Sequence, residues 1–260
     1  ILLYYAFGVR ELNATDKIET RYDHPDLAQL HEFNMTKDPS LGYPPKERLS
    51  KAKKYQQSYF SKARAIQNVN WTERGPNNVG GRTRAIMFDP NDPLARKVWA
   101  GGVTGGLWYN EDITKANTKW EKVDDFNESL AINNIVNDPN NPNIFYFGTG
   151  EGWFGQGMIR GKGIWKSENG GETWTVLNST DENADFSFVQ KIAVTSFSTL
   201  LVAARDPFGS GGIYRSDDDG ATWTKKIDGR GADIEITGDT LYASVGIGTP
   251  GQLYRSVDDG

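Results

Sequence analysis

The sequence predicts an all-β chain of radial four-stranded sheets, the blades of a β-propeller, preceded by a partly helical segment. Three observations carry the prediction: an apolar-aromatic segment that recurs four times, glycine-rich turns that follow it, and short alternating runs that precede it. The recurring segments are Gly106-Leu107-Trp108, Gly163-Ile164-Trp165, Gly212-Ile213-Tyr214 and Gln252-Leu253-Tyr254. They are spaced by 57, 49 and 40 residues, which brackets the length of one blade.

Each unit has the same internal order. A first strand is expected at Thr83 to Phe88, Ala131 to Val136, Phe188 to Val194 and Ile234 to Thr237, as alternating or apolar runs. A turn follows, spelled Asp89-Pro90-Asn91 in the first unit and Asp138-Pro139-Asn140 in the second, where proline fixes φ and Asp or Asn bonds back to the backbone. The second strands, Val98 to Ala100, Ile144 to Phe147, Leu200 to Ala204 and Leu241 to Val245, are apolar enough to be buried on both faces. The third strand is the recurring segment itself. After it come Ser167-Glu168-Asn169-Gly170-Gly171-Glu172-Thr173-Trp174, Ser216-Asp217-Asp218-Asp219-Gly220-Ala221-Thr222-Trp223 and Ser256-Val257-Asp258-Asp259-Gly260. In the first unit Asn110 and Asp112 take the Ser and Asp places, with an insertion before Trp120.

These turns match the Asp-box, S-x-D-x-G-x-T-W. The residues assigned to it are Ser167, Asn169, Gly171 and Trp174, then Ser216, Asp218, Gly220 and Trp223, then Ser256 and Asp258. Its chemistry is structural: Ser and Asp side chains bond backbone amides, Gly supplies a positive φ, and Trp packs between neighbouring sheets. The Asp217-Asp218-Asp219-Gly220 run lacks the glutamate a calcium loop needs at its twelfth position, so it is read as this turn.

Before residue 70 glycines are few. A basic amphipathic helix is expected near 45–66, with Leu49, Ala52, Tyr59, Phe60, Ala63 and Ile66 at helical spacing and packed on their own domain. The apolar opening, Ile1 to Val9, is read as a buried mature segment, with the remnant of an export signal as the other reading. Trp71-Thr72 resembles the fourth strand of a unit, so residues 71–81 are expected to close the last blade. The blades are expected at 82–123, 131–177, 187–228 and, truncated, 233–260, which makes the chain the first part of a longer ring.

Composition narrows function. A net charge of −5 gives no basic field for nucleic acid, and no apolar run approaches the roughly 18 residues of a membrane span. With no cysteine and only His24 and His31, thiolate chemistry and a multi-histidine metal site are not expected, and no cofactor is assigned.

From Trp71 to Gly260, about three quarters of the chain, the sequence resembles the Asp-box propellers grouped with the sortilin family and the xyloglucanase-type glycoside hydrolases. The closest likeness is to secreted bacterial proteins with Trp71-x-x-x-Gly75-Pro76-Asn77-Asn78 before the first blade and Gly148-Thr149-Gly150-Glu151-Gly152 in the second. That resemblance implies an exported, extracellular or cell-surface protein, with type IX secretion and an outer-membrane or secretion partner. In the xyloglucanase-type hydrolases a catalytic aspartate precedes a Gly-Gly-aromatic segment of the first blade. The equivalent position here is Val103, so catalysis is doubtful on that ground and no catalytic residue is assigned.

The main expectation is therefore a protein or glycan ligand on the face that carries the loops between second and third strands. Glu151, Trp153, Phe154 and Arg160 of the second-blade loop, with Arg205 and Phe208 of the third, are the candidate contacts, able to stack on sugar rings and hydrogen-bond beside them. Trp153 and Phe154 read equally well as a plug of the ring. Arg82 and Arg84 either line the channel and attract carboxylates or pair with neighbouring acids. The alternatives are a glycoside hydrolase whose carboxylates lie largely in later blades, and a structural adhesin or secretion cargo with no small ligand.

Overall fold

The computed structural model describes residues 25–45, 48–60, 81–123, 131–152, 158–205, 211–246 and 250–260. The chain divides into two units, Ile1–Thr72 and Glu73–Gly260. In the first, helix α1 spans Pro25–Thr36 and α2 spans Leu49–Phe60. Of the helix expected over 45–66, α2 begins at Leu49 rather than at Pro45, whose carbonyl accepts from the Arg48 amide at 2.9 Å, and residues 61–66 lie outside the described residues. Of its expected stripe, Ala52 and Tyr59 are exposed. Tyr59 is 61% exposed and stacks on exposed Tyr55 one turn earlier, with ring centroids 6.5 Å apart.

The second unit is all β, four antiparallel sheets arranged as propeller blades. The first sheet runs β1 (Thr83–Phe88), β2 (Val98–Gly102), β3 (Gly106–Asn110), β4 (Glu121–Lys122). The second runs β5 (Ile132–Asp138), β6 (Asn141–Thr149), β7 (Ile164–Ser167), β8 (Thr175–Val176). The third runs β9 (Val189–Val194), β10 (Leu200–Arg205), β11 (Gly211–Ser216), β12 (Thr224–Asp228). The fourth shows β13 (Gly231–Thr237), β14 (Thr240–Val245) and β15 (Gln252–Ser256) among the described residues. In each sheet the strands pair in chain order, the meander that tight turns dictate.

Period-two alternation decides which neighbour each side chain meets. In β3, β7 and β11 the aliphatic residue points toward the following sheet and the next residue, an aromatic, points back. Leu107 and Trp165 therefore share one core with Met87, Trp99, Ile135, Phe145 and Phe147, between the first and second sheets. Ile164 and Tyr214 share the next with Tyr146, Ile192, Leu200 and Val202. Ile213 packs with Leu201, Ala203, Ile234, Leu241 and Val245 between the third and fourth. Side chains such as Tyr146, Phe145 and Phe147 are almost fully buried, and each is worth roughly 1.5–3 kcal/mol relative to exposure.

The turns after the third strands are built alike. The Ser167 and Ser216 hydroxyl oxygens each accept from the glycine amide four residues on, Gly171 and Gly220, both at 2.9 Å, and Ser256 does the same for Gly260. Asn169 and Asp218 accept from the amides of Thr173 and Thr222 at 2.9 Å. The glycine is required: Gly171 has φ +88°, and a Cβ there would stand 2.4 Å from the Trp99 ring. Three hydrogen bonds centred on Asp218, led by the Thr222 hydroxyl, hold its carboxyl down at about 2. Trp174 lies against Trp99, Phe145 and Phe147, while Trp223 lies 5.1 Å from the buried Phe186. In the first sheet Asn110 accepts from the Asp112 amide at 2.9 Å and from the Thr118 hydroxyl at 3.0 Å, which keeps the turn closed around its insertion.

Asparagine side chains clip the sheets together at the same end. Asn91 Nδ2 donates to the Pro142 carbonyl at 2.7 Å, and Asn140 Nδ2 donates to the Ser196 carbonyl and the Ser198 hydroxyl, both at 2.9 Å. Both follow the Asp-Pro dipeptides of the first hairpins.

Candidate functional site

The opposite end of the sheets has a different construction. There β1, β5, β9 and β13 each break register, at Arg84, Asn133, Gln190 and Ala232. A bulge at the same place in four strands re-aims one side chain per sheet out of the regular pleat. At or just beyond the end of each second strand the chain is tied down by one bond to the residue preceding or opening the unit. Val103, Gly150, Arg205 and Gly246 donate their amides to the carbonyls of Arg82, Ala131, Phe188 and Arg230, all at 2.9 Å. These four positions are thus structural equivalents, and the residues after them form the divergent loops.

In the second sheet that loop begins with Glu151. Its amide donates to the Ile159 carbonyl at 2.8 Å and its carbonyl accepts from the Ile159 amide at 3.0 Å, a single antiparallel bridge that pinches the loop at its base. Gly150 makes the approach feasible: its φ is +101°, and a Cβ would fall 2.4 Å from the Ser187 carbonyl of the third sheet's leading segment. Gly161 is as tightly placed, its amide donating to that same carbonyl at 2.8 Å.

The Glu151 side chain is 6% exposed and lies between two guanidinium groups of the first sheet. Arg82 Nη1 is 3.9 Å from Oε1 and Arg84 Nη1 is 3.6 Å from Oε2. A carboxylate buried alone would cost several kcal/mol; the two cations compensate it in part, and Glu151 Oε2 makes no hydrogen bond among the described residues. Arg82 and Arg84 therefore face an acid of the neighbouring sheet. Beside them Asn133 is buried, its Nδ2 donating to the Gly150 carbonyl and, at 3.4 Å, to the Val189 carbonyl. Gln190 is buried as well. Neither amide was a sequence-level candidate; the signal was a polar residue entering an otherwise apolar inner strand.

The remaining candidates separate. Arg160 is exposed, next to the pinch. Arg205 is 4% exposed, so it offers a ligand little surface. Burial first, and the neighbouring Arg230 second, lower its basicity. Trp153, Phe154 and Phe208 lie outside the described residues, as does Trp71. Lys162, buried in the same loop, reaches Asp181 at 3.5 Å. Val103 is 3% exposed and closes the first sheet's short turn as an apolar plug.

Chemically, the buried Glu151 carboxylate anchors the more exposed Arg82 and Arg84 guanidinium groups, and these are the donors at this end suited to hydrogen-bonding hydroxyl-rich ligands. Among the described residues no group of three His, Asp or Glu side chains could hold a metal ion, and no helix is long and apolar enough to cross a membrane.

No protein-family model matches the chain. A xyloglucanase of Paenibacillus sp. is 34% identical over 109 residues, 40% of this chain and 10% of that protein. The crystal structure of an ancestral GH74 enzyme matches 69% of this chain and 25% of its own, at TM-score 0.51 and 19% identity. That of the GH74 xyloglucanase from Xanthomonas campestris matches 68% of this chain and 36% of its own, at TM-score 0.42 and 15% identity. The chain thus spans about a tenth of the curated relative's length and a quarter of the ancestral enzyme's. The likeness to the ancestral GH74 structure shows the propeller fold.

Proposed function

We propose that this chain forms part of an extracellular, glycan-binding propeller of the xyloglucanase type, with the ligand on the end that carries Glu151. The observation that carries the reading is the Glu151 site: a buried carboxylate fixed by Arg82 and Arg84 from the adjacent sheet, at the pinch of the longest loop between second and third strands. The 109-residue likeness to a xyloglucanase supports a polysaccharide as its ligand class. On this reading Trp153, Phe154 and Arg160 extend the contact along the loop. The repeated serine turns are Asp-boxes, which serve the scaffold at the far end.

A second reading, hydrolysis, is favoured by the same likeness. Two carboxyl groups about 5–9.5 Å apart are the usual requirement. Glu151 is one candidate, and Val103 stands where the resemblance puts the first-blade aspartate. The test is affinity electrophoresis of the chain in gels containing xyloglucan, xylan or mixed-linkage glucan, run beside a reducing-end assay on the same polymers. Retardation without release of reducing ends supports binding alone. Release that disappears in Glu151→Gln supports hydrolysis. Unretarded migration and no release in every polymer would refute both.

A further inference from the structure

Glu151 is held from the first sheet through its side chain, and a second hold, made by Asn133, acts on its backbone. The Gly150 carbonyl and the Glu151 amide belong to one planar peptide unit, so whatever holds both fixes the direction in which the Glu151 side chain leaves the backbone. Asn133 Nδ2 donates to that carbonyl, and that amide donates to the Ile159 carbonyl at 2.8 Å. Such a hold is needed because of the residue in front of Glu151. The close approach to Ser187 requires glycine there, at φ +101°, and glycine by itself leaves the peptide unit free to turn.

Asn133 reaches this place through the bulge of β5, which breaks register between Ile132 and Asn134. Its Nδ2 also lies 3.4 Å from the Val189 carbonyl, and the next residue, Asn134, accepts from the Ile192 amide at 2.9 Å, so both side chains tie β5 to β9. The Asn133 side chain is buried, yet its Oδ1 makes no hydrogen bond among the described residues. Stability alone disfavours a buried amide left half satisfied, and what the amide supplies in return is the hold on Gly150. We propose that Asn133 is a positioning residue of the Glu151 site. It fixes the Gly150–Glu151 peptide so that the carboxylate stays turned toward Arg82 and Arg84, and thereby sets the guanidinium donors that a glycan meets. The effect on a glycan rests on the binding role proposed above; the hold on the loop base stands without it.

Amide hydrogen exchange by NMR and titration calorimetry with xyloglucan oligosaccharide, both on the whole chain, separate the two. In Asn133→Leu, similar in size and without a donor, the Glu151 amide should exchange about tenfold faster or more. The Gly220 amide at the far end, held by Ser216 Oγ, should keep its native rate. A residue that merely supports the fold would move both. Asn133→Leu should also bind about tenfold more weakly, and Asn133→Leu combined with Glu151→Gln no more weakly than Glu151→Gln by itself, because the one acts through the other. Asn133→Ser, which shortens the side chain and removes the amide, stands in if Asn133→Leu loses its native circular dichroism spectrum. Native exchange at the Glu151 amide in a folded variant would overturn the proposal, and so would losses of affinity that add. A native chain that binds no glycan would strike the glycan reading alone, with the exchange rates still deciding whether Asn133 holds the loop.

Discussion

The two ends of the same sheets are made differently. At one end the second and third sheets close with the same serine turn, down to equal 2.9 Å bonds from Gly171 and Gly220, and asparagine clips repeat between sheets. At the other end four equivalent amides are tied alike, and then every loop goes its own way, from the short turn after Val103 to the pinched loop after Glu151. Repetition marks what every blade needs to pack. Divergence marks where sequence is free of that need, and it is there that the buried Glu151 carboxylate meets arginines of the neighbouring sheet.

Breaking the repeated end should cost stability and leave ligand binding alone. The largest effect is expected for Trp223→Ala. Its ring packs on Phe186 and its Nε1 donates to Ser179 Oγ at 3.0 Å, so denaturant unfolding should show a loss of about 3 kcal/mol, the lower end for an aromatic truncation because the ring is only partly buried. Gly171→Ala should follow at about 2 kcal/mol, from a left-handed backbone and a Cβ aimed at Trp99. A variant as stable as the native chain would mean that the turn relaxes without cost.

The smallest effect sharpens the comparison through pH. Asp218 has its carboxyl lowered from the usual 3.8 to about 2 in the folded chain, chiefly by the Thr222 hydroxyl and amide. Its contribution is therefore full above about pH 4 and is lost as pH falls through about 2, because the unfolded state takes up the proton first. Melting curves should show the native chain above Asp218→Asn at neutral pH and the gap closing toward pH 2. A constant gap would mean that geometry rather than charge holds the turn.

What the sequence made legible is what local rules determine. The serine turns and second strands are written in contiguous residues, and the inner strands are right to within a few residues at their ends. β6 starts earlier than expected, at Asn141, because Asp138 pairs with it across a two-residue turn. Helix α1 lies within the segment expected to be partly helical, but its apolar residues, Leu27, Leu30, Phe33 and Met35, spread around the helix and form no single stripe that would mark its bounds. The bulges at Arg84, Asn133 and Gln190 are products of pairing between strands, and the Glu151 ion pair joins residues some 67 positions apart. No periodicity encodes such contacts. Both readings of Arg84 were open from composition, and only the fold brings Glu151 to it. Arg205 is the converse: a cation in a loop reads as a ligand contact, yet the turn buries it.

Ligand recognition should belong to the divergent end. Titration calorimetry with xyloglucan oligosaccharide should compare the native chain with Glu151→Gln and Ser216→Ala, each checked by melting. Glu151→Gln should bind about tenfold more weakly or worse, with its melting point little changed, while Ser216→Ala should melt earlier and bind as the native chain does. Equal affinity in Glu151→Gln, or a loss in Ser216→Ala at a temperature where it is fully folded, would contradict it.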